Sequence, residues 1–70
     1  MQIDTDTARR AFGCARSTAR EVLAQVAART GRSGTAPSGG RPSRTVPVED
    51  LAEHYGLSPQ DVIDAAALSA

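Results

Sequence analysis

Residues 31–45 (GRSGTAPSGGRPSRT) divide this chain in two, because the whole stretch carries no large apolar side chain. Its four Gly, three Ser and two Pro cannot offset the entropy of ordering by burial. The composition therefore predicts a flexible linker over 31–45 that tethers a helical segment at 1–30 to another at 46–70. A core can form only if the second segment folds back on the first, with Leu51, Tyr55, Leu57, Val62, Ile63 and Leu68 packing against Phe12, Ala19, Val22, Leu23 and Val26.

Both flanking segments read as helical, so the expected fold class is all-α: a small helical domain with helix-turn-helix-like segments joined by a linker. Asp4, Thr5 and Asp6 are N-cap candidates for residues 4–30, and Gly31 follows a basic last turn as a terminating glycine does. Phe12, Ala15, Ala19, Val22 and Val26 recur at helical steps, which fits one uninterrupted amphipathic helix. Gly13 opposes that reading, since it costs ~1 kcal/mol in a helix interior. A break at Phe12-Gly13-Cys14 is the reading adopted. Val46-Pro47-Val48 is extended, and helices follow at about 48–55 and 59–69. Ser58-Pro59-Gln60-Asp61 forms a capping box with proline at the first helical position.

Charge is segregated along the chain. The first 45 residues hold all eight Arg against Asp4, Asp6 and Glu21, about +5, and the last 25 hold five acids and no base, about −5. Arg-rich surface attracts a phosphate backbone and acidic surface repels it. Contact with nucleic acid is thus expected from the first segment, and fold completion or partner binding from the second.

Other classes find little support. Cys14 is the only cysteine, so no internal disulfide and no cysteine-cluster metal site can form, and a reducing, cytoplasmic setting is expected. No apolar run approaches the ~20 residues that span a bilayer. Phe12 and Tyr55 are the only aromatics, too few for a base-stacking platform. No phosphate-binding glycine loop, nucleophile pair or metal spacing occurs, and His54 stands isolated as a surface residue. The expectation is a non-enzyme without cofactor. A core from 70 residues supplies only ~3–5 kcal/mol, so oligomerisation, a ligand or a partner chain is expected, and a homodimer is the reading adopted.

Residues 8–22 and 51–65 form a weak repeat, each centred on an aromatic-glycine pair, Phe12-Gly13 and Tyr55-Gly56. Both have a helix-turn-helix outline, with glycine at the turn and apolar residues where two helices would cross. The segment from Phe12 to Leu23 resembles the turn and recognition helix of GntR-type regulators and of small excisionase-like DNA-binding proteins. That resemblance covers 15–20 residues. It implies that Arg16, Ser17 and Arg20 face the major groove with Thr18 and Glu21 beside them, while Arg9 and Arg10 meet phosphates. Ala15 departs from the pattern, standing where a capping serine is usual.

Gly39-Gly40-Arg41-Pro42-Ser43-Arg44 resembles the Gly-Arg-Pro core of an AT-hook, which implies minor-groove contact by Arg41 and Arg44. The same composition is ordinary in a linker. Pro59 to Ala65 is similar to the final helix of bacterial nucleoid-associated silencers, although the Arg-containing loop lies 15 residues upstream. In the second repeat, Asp61 and Asp64 replace the basic side chains of a DNA reader and are candidates for partner binding.

These features point to a bacterial or phage protein that binds double-stranded DNA, as a transcriptional regulator or recombination accessory factor. The rival class is a protein-interaction module without DNA binding, such as an antitoxin-like or phage-encoded inhibitor of a host protein. A balanced net charge and an acidic second segment favour that rival.

Overall fold

The computed structural model describes residues 1–38 and 40–68. The chain runs β1 (Gln2–Ile3), α1 (Thr5–Phe12), α2 (Arg16–Thr30), β2 (Gly34–Ser38), β3 (Arg41–Pro47), α3 (Val48–Tyr55) and α4 (Pro59–Leu68). Among the described residues, four helices and a three-stranded antiparallel sheet make this a mixed α/β fold, which corrects the all-α expectation. Gly39 of the Gly-Arg-Pro stretch and Ser69 of the last expected helix lie outside the described residues.

The expected flexible linker is instead most of a β-hairpin. β2 pairs antiparallel with β3 from Gly34 opposite Thr45 to Ser38 opposite Arg41, and β1 pairs with the far end of β3, Ile3 opposite Val46. Gly40 takes a φ of 81° in the connecting turn, a conformation open to glycine at little steric cost. The hairpin needs no apolar face of its own because its anchor lies further along β3, where Thr45 and Val46 are buried. Pro37 faces Pro42 across the ladder, a rung to which neither nitrogen can donate.

Helix ends follow the local chemistry of the sequence. Asp4 caps α1, its carboxylate accepting from the Thr7 amide at 2.8 Å. Gly13 then adopts φ 61° and stops α1, so residues 4–30 form two helices. Ala15 opens α2 without a side-chain cap, and Gly31 closes it with φ 69° and an amide donating to the Ala27 carbonyl. The capping box of α4 is reciprocal. The Asp61 amide donates to Ser58 Oγ at 3.2 Å, and the Ser58 amide donates to Asp61 Oδ2 at 3.3 Å.

The core draws on every element except β2. Ile3, Ala8, Ala19, Leu23, Val26, Val46, Val48, Leu51, Ala52 and Val62 form one buried cluster. Ala19, Leu23 and Val26 supply the inward face of α2 at steps of four and three. Three expected core residues lie elsewhere: Tyr55, Leu57 and Leu68 are 44%, 42% and 88% exposed, and Ile63 is half-buried. The sheet explains the difference. Ile3 of β1 and Val46 of β3 fill space that the second helical segment was expected to close alone.

Candidate nucleic-acid interface

The α1–α2 pair and the hairpin border one basic groove. α1 and α2 pack against each other around Gly13, and α2 also packs against β3. Between α2 and β3 lies a groove of about 610 Å³ lined by Thr5, Arg16, Arg20, Ala24, Arg41, Pro42, Ser43 and Arg44. Arg16, Arg20 and Ala24 are spaced four apart, so they share one face of α2. Arg41 and Arg44 approach from the strand. Four of the chain's eight arginines thus meet from segments more than 20 residues apart in sequence.

Thr5 and Ser43, both in the groove lining, tie the start of α1 to β3. The Thr5 and Ser43 hydroxyls lie 3.0 Å apart, and the Thr5 amide, in the unsatisfied first turn of α1, donates to Ser43 Oγ at 3.4 Å. Arg16, Arg20, Arg41 and Arg44 are all exposed. Among the described residues, Arg20, Arg41 and Arg44 form no ion pair, so their guanidinium groups are available to phosphate or base oxygens. Ser17 and Thr18 are exposed on the first turn of α2. With Ala15 at its cap, that turn also keeps unsatisfied amides that favour an anion.

Arg9 and Arg10, the expected phosphate contacts on α1, do not line the groove. Both pair with Asp6, Arg9 at 3.1 Å and Arg10 at 3.3 Å, and Arg16 lies 3.6 Å from the same carboxylate. The Arg9 hydrogen bond, ahead of the fields of Arg10 and Arg16, holds the Asp6 carboxyl below its ordinary range. Thr5, Asp6 and Ser43 are the contributors that sequence reasoning missed. The i, i+3 and i, i+4 spacing of Asp6 to Arg9 and Arg10 was a readable signal; the approach of Thr5 to Ser43 across 38 residues had none.

Asp61 and Asp64 are exposed on α4, away from the groove lining. Asp61 serves the capping box, and Asp64 accepts from Gln60 Nε2 at 2.9 Å. Among the described residues no cluster of three or more His, Cys, Asp or Glu could hold a metal ion, and no helix is long and apolar enough to cross a membrane. No family model matches the chain, and neither a curated protein nor a solved structure matches it.

Proposed function

We propose that this protein binds double-stranded DNA through the four-arginine groove, as a bacterial or phage transcriptional regulator or recombination accessory factor acting as a homodimer. The convergence of Arg16 and Arg20 from α2 with Arg41 and Arg44 from the hairpin carries the reading. α2 begins with Arg16, Ser17 and Thr18 exposed, and the major groove is wide enough to admit such a helix. In this arrangement Arg16, Ser17 and Arg20 face base edges, with Thr18 beside them. A phosphate backbone runs between α2 and the hairpin, and Arg41 and Arg44 reach the neighbouring minor groove. Arg9 and Arg10, tied to Asp6, serve the flank of the site.

Selection from random duplexes, followed by binding measurements on the selected site and on random DNA, tests the assignment. Arg16→Ala should cost roughly 1–3 kcal/mol on the selected site and much less on random DNA. Equal losses would move Arg16 to phosphate contact, and no loss on either would sink the base-reading role.

A second reading is favoured by one observation. Glu49, Glu53, Asp61 and Asp64 are all exposed on α3 and α4, which presents an acidic surface suited to a basic protein partner. An Asp61→Asn/Asp64→Asn variant separates the two. Loss of a protein complex with DNA binding intact would support a partner role, and a large loss of DNA binding in a folded variant would contradict the division between the halves.

A further inference from the structure

Asp6 lies in the first turn of α1, and it draws together three guanidinium groups that would otherwise repel. Arg9 and Arg10 are local partners on its own helix; Arg16 reaches it across the Gly13 turn. Arg16 also lines the basic groove, where Arg20, Arg41 and Arg44 have no ion pair among the described residues. Asp6 therefore competes directly with any phosphate or base that Arg16 would bind.

We propose that Asp6 is a positioning residue that holds Arg16 back from phosphate and so sets how well the groove discriminates its site from random duplex. This inference rests on the DNA-binding reading above. The pair is exposed, with 53% of the Arg16 side chain and 32% of Asp6 open to solvent, so the restraint is weak enough to yield to DNA. A phosphate at an arbitrary sequence gains one charge contact when it detaches Arg16. A matching guanine gains two hydrogen bonds from the same group, so it overcomes the restraint more readily. The restraint thus weighs most heavily on non-specific binding.

The test compares Asp6→Asn with the wild-type protein on random duplex and on the selected site at low salt, alone and in an Arg16→Gln background. Glu53→Gln, a change of equal charge on α3, serves as control. Asp6→Asn should raise affinity for random duplex by up to about fivefold, the range set by one exposed ion pair, and for the selected site by less; an equal gain on both overturns the inference. In the Arg16→Gln background less than half of the gain on random duplex should remain, whereas a purely structural role for Asp6 would make its effect independent of Arg16. A gain that persists undiminished without Arg16, or that Glu53→Gln reproduces, overturns the inference while leaving DNA binding intact. Failure of the wild-type protein to bind duplex overturns both. If Asp6→Asn reduces the folded fraction by circular dichroism, the wild-type and Arg16→Gln proteins supply the test by carboxyl NMR. The Asp6 carboxyl should titrate higher with duplex bound, and by less in Arg16→Gln, because the field of the duplex alone would lift both proteins equally; an equal rise in the two proteins, or none, overturns the proposal.

Discussion

Phe12 and Tyr55, the aromatic residues that precede the two turn glycines, lie ring against ring with centroids 4.6 Å apart and planes tilted by 38°. The aromatic positions of the sequence repeat therefore touch, since Phe12 and Tyr55, 43 positions apart, meet where α1 ends and α3 ends. Gly13 and Gly56 both adopt left-handed conformations directly after these rings, φ 61° and 68°. His54 adds an edge contact to Tyr55 at 5.1 Å. A double-mutant cycle over Phe12→Ala and Tyr55→Ala should give a coupling of about 0.5–1.5 kcal/mol in unfolding free energy. Strict additivity would show that the rings touch without supporting each other.

Arg32 grips Asp50 through both Nε and Nη2, the Nε bond being 3.1 Å, and so ties the chain after α2 to the first turn of α3. The Asp50 side chain is nearly buried while Arg32 is open to solvent. The Arg32 hydrogen bond outweighs burial and holds the Asp50 carboxyl below its ordinary range. A depressed folded value contributes stability that is complete above the unfolded pKa of about 3.9 and is lost as pH falls through the folded value. The melting temperature should accordingly fall below about pH 4 in the wild-type protein. Arg32→Gln should lower it at neutral pH and flatten that acid limb, because only Thr30 and Arg29 then oppose burial at Asp50. Parallel curves for the two proteins would contradict the role given to this pair.

Leu51 and Leu57 test the arrangement of the core. Leu51 is fully buried, whereas Leu57 is 42% exposed beyond the Gly56 turn. Leu51→Ala should cost ~2–5 kcal/mol, enough to unfold so small a domain, and Leu57→Ala about 1 kcal/mol or less. Chemical denaturation of both variants checks the order, and comparable losses would return Leu57 to the core.

The contrast between those leucines shows what was legible in the sequence. Local signals placed Asp4, Gly13, Gly31 and the Ser58–Asp61 box, because caps and left-handed glycines act within a few residues. The hairpin was opaque, since Gly34 to Ser38 has neither apolar alternation nor β-branched enrichment beyond Thr35. Its order comes from backbone pairing and from Val46, which a composition argument over 31–45 excludes by one residue. Missing β1 and β3 leaves the expected core short of Ile3 and Val46, and Tyr55, Leu57 and Leu68 take their place in it. The basic groove was legible as residues but not as a place. Arg16, Arg20, Arg41 and Arg44 were identifiable by type; only the hairpin brings them together.

The salt dependence of duplex binding tests the groove most directly. Fluorescence anisotropy on a random duplex between about 50 and 200 mM salt should show log affinity falling linearly with log salt, by roughly 0.9 for each phosphate neutralised. An Arg16→Ala/Arg20→Ala/Arg41→Ala/Arg44→Ala variant that remains folded should bind far more weakly and lose about 3–4 from the magnitude of that slope. A folded quadruple variant with the wild-type slope, or a wild-type protein that binds no duplex at low salt, would contradict the assignment of this groove to DNA.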